Sequence, residues 1–188
     1  MRVRPIRRSI LIDELAERII GRLPGRARIL LDGPPPSRPG TLAEALGEAL
    51  RLRGRPVVRV LASDFWRPAS VRLERGRNDP DELLDGWLDI DGLRREVLDP
   101  AGTAGSGWVL PRLWDSRVDR AYRDSRVSLG DNGVVVLAGS LLLGRELPAE
   151  LTVHLRMSAA ALERRLDPAL HWTLPAYRRY DAEHDPAS

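Results

Sequence analysis

The chain has 188 residues, 43% hydrophobic and 30% charged, enough for one domain with a substantial core but without the run of ~20 apolar residues that a bilayer span needs. It has no cysteine, and all 30 of its Lys+Arg residues are arginine, which excludes disulfides, Cys-ligated zinc, thiolate nucleophiles and any chemistry that needs a lysine ammonium. The net charge is only +3, its arginines alternate with acids as in LERGRNDPDE, and no basic stripe or RNA-binding motif points to nucleic acid.

The start of the chain is basic, with Arg2, Arg4, Arg7 and Arg8, and reads as a tail leading into a helix. Its apolar stretch is broken by Asp13 and Glu14, so no secretory segment is expected and the cytoplasm is the expected compartment. Ile10, Leu11, Leu15, Ile19, Ile20 and Leu23 recur at helical spacing and predict an amphipathic helix over 10–23, closed near Gly21 and Pro24. Residues 1–26 are thus an arm and helix, and 27–188 a domain. RILLDG at 28–33 reads as a buried parallel strand, GPPPSRPG as a loop and TLAEALGEALRLRG as a helix. PVVRVLASD at 56–64 predicts a second strand that ends on an acid.

Residues 65–130 form a long insertion, with a short helix in DIDGLRREVLDP and a hairpin in GSGWVLPRLWDSRVDRAYRDSRVSL. Such an insertion commonly builds a substrate-side wall. GVVVLAG at 133–139 and LTVHLRM at 151–157 supply the third and fourth strands, and SAAALERRL at 158–166 a helix behind a Ser N-cap. A last helix begins after Pro175, so that 158–185 reads as a reduced lid and C-terminal helix in which Tyr177, Arg178, Arg179 and Tyr180 either cover a site or pack as a terminal helix. This alternation predicts an α/β fold with a doubly wound parallel sheet, whose ligands bind at the carboxyl ends of the strands. The first loop, the Asp64 turn and the Ala138 turn should therefore converge.

Several short motifs fall in one order: Asp32-Gly33 after the first strand, Ser63-Asp64-Phe65 then Trp66-Arg67-Pro68 after the second, N-D-P-D at 78–81, P-R-L-W-D at 111–115, Ala138-Gly139 after a central strand, and Arg164 and Arg165 on a late helix. In that order, over roughly residues 27–167, the chain resembles the uridine kinase family of P-loop NTPases, its actinobacterial members in particular. The resemblance implies Asp64 as general base for a substrate hydroxyl. It implies an acceptor side drawn from Phe65, Trp66, Arg67, Asp79, Arg112, Trp114 and Asp115. The phosphate side would be Gly33, Arg38, Gly40, Thr41, Arg164 and Arg165, with ATP and magnesium as cofactors if the family activity persists. Taken alone, Asp64 reads equally as a turn or cap residue, Trp66 and Trp114 as core, Asp115 as a hairpin turn, and Arg67 and Arg112 as surface ion pairs.

The departures from the motif bear on chemistry. A G-x-x-x-x-G-K-[ST] loop surrounds phosphates with backbone N–H groups, neutralises them with its lysine and holds magnesium with its hydroxyl. Counted from Gly33, the second glycine is Arg38, the lysine is Pro39 and the hydroxyl residue is Gly40, while Pro34, Pro35 and Pro36 carry no N–H. The acid expected after the central strand is Ala138. His154, His171 and His184 are spaced for no metal site. Two readings stay open: a uridine-kinase-like protein with a pocket for a nucleoside-like or other small hydroxylated ligand, or an inactive pseudokinase that binds a ligand, another protein or a second copy of itself.

Overall fold

The computed structural model describes residues 7–184. The elements run in chain order as α1 (Arg8–Arg22), β1 (Ala27–Asp32), α2 (Pro39–Leu52), β2 (Val57–Leu61), α3 (Ala69–Arg72), α4 (Pro80–Asp85), α5 (Ile90–Leu93) and α6 (Asp99–Ala101). Four two-residue strands follow, β3 (Trp108–Val109), β4 (Trp114–Asp115), β5 (Arg120–Ala121) and β6 (Val127–Ser128), then β7 (Val134–Gly139), β8 (Leu151–His154), α7 (Ala159–Arg165) and α8 (Leu174–His184). Arg2 and Arg4 lie outside the described residues. Among those described, no helix is long and apolar enough to cross a membrane.

The sheet is parallel throughout, in the order β2-β7-β1-β8. Side chains alternate across a strand, and here both faces are apolar. Ile29, Leu31, Val134, Val136 and Ala138 face Leu42, Leu46 and Leu50 of α2, with Leu15 and Ile19 of α1 in the same layer. Leu30, Val60, Val135 and Leu137 face Leu93, Val97, Leu98 and Val109 on the other side. Each fully buried aliphatic side chain contributes roughly 1.5–3 kcal/mol, so this two-sided burial fixes the register. A third layer joins Leu84 of α4 and Leu162 of α7 to Leu174, Tyr177 and Tyr180 of α8.

Three boundaries differ from the sequence expectation. The second strand stops at Leu61, where a 3-10 turn over Ala62–Phe65 takes Asp64 off the strand and sinks Phe65 into the core. The fourth stops at His154. Leu155 N still donates to Asp32 O, but β1 then turns into its loop and offers 156–157 nothing to pair with. The helix expected in 89–100 is capped by the Asp89 carboxylate on Gly92 N at 2.9 Å and widens into a π turn over Arg94–Leu98 just before Pro100, which has no N–H to give. The expected hairpin is two nested antiparallel pairs, β3 with β6 outside β4 with β5.

Candidate functional site

Strands β1, β2, β7 and β8 point their carboxyl ends the same way, so the loops after Asp32, Leu61 and Gly139 meet at one edge of the sheet. Gly33 N donates to Gly139 O at 3.0 Å. A Cβ on Gly33 would lie 2.6 Å from Ser37 Oγ and 2.8 Å from Leu155 Cβ, so only glycine fits where the loop leaves the strand. Pro34 is extended, Pro35–Ser37 make a 3-10 turn, and Arg38, at φ 57° and ψ 58°, takes the left-handed conformation just before α2. The backbone thus turns into α2 at the register of a phosphate loop, with an arginine in the position the motif gives to glycine.

The loop's hydrogen-bonding capacity decides whether a nucleotide with magnesium fits it. Pro34, Pro35, Pro36 and Pro39 have no N–H. Ser37 N is committed to Pro34 O at 2.9 Å and Arg38 N to Pro35 O at 3.0 Å. Helix-end geometry leaves Gly40 and Thr41 as donors. Ser37 Oγ donates to Pro34 O at 2.7 Å. Arg38 and Thr41 are exposed, and Arg38 O is bound by Arg8 Nη2 at 3.1 Å. Asp32 is fully buried and fully engaged. Its Oδ1 accepts from Leu142 N at 3.0 Å, and its Oδ2 is 2.6 Å from His154 Nδ1 and accepts from Tyr180 OH at 2.7 Å. Two amides and the exposed Thr41 hydroxyl, with no lysine and no free acid in the loop, are a poor fit to a magnesium-bound triphosphate.

A cavity of about 420 Å³ sits beside this loop, walled by α4, the 166–173 segment after α7 and Tyr177 of α8. Pro35, Gly40, Ser63, Gly139 and Ser140 form its floor, and Trp66, Trp87 and Trp172 stand on its walls among leucines. Trp66 and Trp87 meet edge to face with centroids 5.0 Å apart, and Trp87 lies 5.8 Å from Trp172. Behind them the Arg72 guanidinium lies 4.9 Å from the Trp87 ring and 5.6 Å from Trp66, its Nε donating to Arg67 O at 2.6 Å. Burial lowers the pKa of Arg72, with Asp119 opposing. Ser140 Oγ donates to Gly33 O at 2.7 Å and shares a hydrogen bond with Tyr177, whose hydroxyl burial pushes up to about 12.

Asp64 does not line this cavity, although its neighbours Ser63 and Trp66 do. Leu113 N donates to Asp64 O at 3.0 Å, which brings the nested hairpin to the strand end and sets Asp64 beside Arg112 and Asp115. Burial raises the Asp64 carboxyl above its ordinary range. Arg112 opposes the rise, Asp115 adds to it, and Arg59 and Asp124 act as weaker opponents of each other. Arg112 forks onto Asp124 at 2.7 and 2.8 Å and stacks 4.3 Å from the Tyr122 ring. Asp115 Oδ1 accepts from Arg117 N at 2.9 Å, and Trp114 Nε1 donates to Asp119 at 3.0 Å.

The candidate residues therefore separate. Trp66 and Gly40 line the cavity; Gly33 lies at its base, held by Ser140. Asp64, Arg112 and Asp115 form a charged group next to it. Phe65 is core, and Asp79 caps α4 by accepting from Asp81 N and Glu82 N. Arg67 N is bound to Trp87 O at 2.8 Å, and its side chain is outside the cavity lining, as are Arg164 and Arg165, exposed in the last turn of α7. Trp87, Trp172, His154 and Tyr180 carry no motif, and no spacing in the sequence relates them to one another or to Asp32.

No protein-family model matches the sequence, and no curated protein matches it. Among solved structures the chain is similar to a possible uridine kinase from Bacillus stearothermophilus, at 20% identity and TM-score 0.75 over 95% of this chain and 94% of that one. It is also similar to a candidate fructose transport system kinase from Silicibacter sp. TM1040, at 23% identity and TM-score 0.72 over 95% of both chains. At such identity the likeness speaks for the architecture: this chain has the P-loop kinase fold.

Proposed function

We propose that this protein binds a small hydroxyl-bearing organic molecule in the cavity at the strand ends, and that it does not use the neighbouring loop for conventional ATP-dependent phosphoryl transfer. The observation that carries the reading is the loop itself: four prolines, two amides spent on its own 3-10 turn, and neither lysine nor free acid within it. Transition-state charge on a transferring phosphoryl group is stabilised by such donors, and loss of even one commonly costs ~3–4 kcal/mol of barrier. The cavity survives that loss. The two structural neighbours are named as kinases of a nucleoside and of a sugar transport system, both hydroxylated small molecules, which supports the ligand class in its broad form.

In this reading Ser63 and the tryptophan walls hold the ligand, while α8 closes the site from above through Tyr177. Calorimetric titration with ATP and magnesium, then with uridine and cytidine, tests it. No magnesium-dependent ATP binding is expected. Tight ATP binding would overturn the reading in favour of a phosphotransferase. That alternative draws on the raised proton affinity of Asp64 in the turn after β2, and it requires Asp64→Asn to abolish turnover with the fold intact.

A further inference from the structure

We infer that the ligand is a flat, largely apolar alcohol, such as a fused-ring aromatic alcohol, rather than a sugar or a nucleoside. The inference deepens the binding reading above and rests on it. Size comes first: about 420 Å³ lies in the range of small-molecule sites. Shape follows from the walls, where Trp66, Trp87 and Trp172 bring aromatic rings to the same space and favour a ring that can stack or meet them edge-on.

Polarity is limited by what the hydroxyls on the wall already do. Ser140 donates to Gly33 O and is bonded to Tyr177. Thr173 donates to Leu170 O at 2.7 Å. Ser63 is the lining hydroxyl whose side chain has no protein partner among the described residues. A ribose or hexose would bury several hydroxyls against leucine and tryptophan, at ~1–3 kcal/mol for each one left without a partner. Ser63 can serve one hydroxyl, and Gly40 N at the start of α2 is the free backbone donor beside it.

Charge is limited in the same way. Arg145 is the charged residue on the lining. Its Nε donates to Leu141 O at 3.3 Å and its Nη1 lies 3.6 Å from Asp85, so its charge is partly met by a carboxylate. The aromatic faces do not call for a cationic ligand either, because the Arg72 guanidinium already stands against Trp66 and Trp87.

The test is calorimetric titration of the full chain with 2-naphthol, naphthalene, uridine and ATP with magnesium. 2-Naphthol is expected to bind at least about tenfold more tightly than uridine. Ser63→Ala is expected to weaken 2-naphthol about five- to tenfold and to leave naphthalene unchanged, the signature of a hydroxyl contact. Leu170→Arg is expected to weaken both and to keep the fold, since Leu170 lines the cavity yet is 41% exposed. Absence of binding by both naphthalene compounds, or an equal effect of Ser63→Ala on both, overturns the inference. Uridine binding more tightly than 2-naphthol without ATP overturns the ligand class and leaves the binding reading standing. Magnesium-dependent ATP binding overturns the binding reading itself.

Discussion

A half-buried carboxylate in a turn costs stability that a surface carboxylate does not. Asp64 is such a group, its proton affinity raised by burial beyond what Arg112 offsets. A raised pKa means the folded protein holds more protons than the unfolded chain in the window above the ordinary value of 3.8. Stability therefore falls as pH rises through that window, and the penalty is fully present above it. Asp64→Asn removes the charge and keeps the shape. The variant is expected to be modestly more stable than wild type at about pH 7, with the advantage shrinking toward about pH 4, as read by urea denaturation at both values. A variant less stable at neutral pH would mean that Arg112 holds the ionised carboxylate more strongly than burial penalises it. A residue kept at a stability cost beside a cavity is a functional candidate on physical grounds.

At the scale of the element, the loop between β1 and α2 carries four prolines and commits Ser37 N and Arg38 N to its own 3-10 turn, which leaves Gly40 N and Thr41 N as its free amides. Restoring two side chains by Pro39→Lys with Gly40→Ser returns an ammonium and a hydroxyl to their motif positions. It does not return the amides, because Pro34, Pro35 and Pro36 still lack N–H and Ser37 N and Arg38 N stay in the 3-10 turn. Titration of this double variant with ATP and magnesium is expected to show no binding; binding would show that side chains alone limit the loop. The prolines of this element were legible in the sequence, since they announce missing N–H groups by their identity; the 3-10 turn that occupies Ser37 N and Arg38 N was not. The strands were legible too, since their continuous Val, Leu and Ile runs match burial on both faces. The ends of β2 and β8 were not, because β2 stops at a 3-10 turn and β8 where its partner β1 leaves, and the pairing strands lie 77 and 122 residues away in sequence. The π turn before Pro100 depends on how its neighbours pack, and no periodicity predicts it.

Across the whole molecule, the least legible feature is the group that ties its two ends together. Asp32 closes the first sheet strand and Tyr180 sits near the end of the last helix, 148 residues apart. Tyr180 OH donates to Asp32 Oδ2 and accepts from Leu143 N at 2.7 Å, and burial and the Asp32 charge both push its pKa upward, so it stays a donor. His154 completes the group from β8. A motif search sees Asp32 as part of D-G and passes over the tyrosine, because buried polar partners are joined by the fold and by nothing along the chain. The tryptophan wall escaped for the same reason, with Trp66, Trp87 and Trp172 arriving from three separate segments. Tyr180→Phe keeps the ring in the apolar layer of α4, α7 and α8 and deletes one hydroxyl that serves two buried groups. The expected loss is about 1–3 kcal/mol, read as a lower urea midpoint with an unchanged slope. A lower slope would place the damage in fraying of α8 alone. An unchanged slope means that the last helix is part of the same cooperative unit as the sheet, so that the wall it builds over the cavity is as durable as the fold.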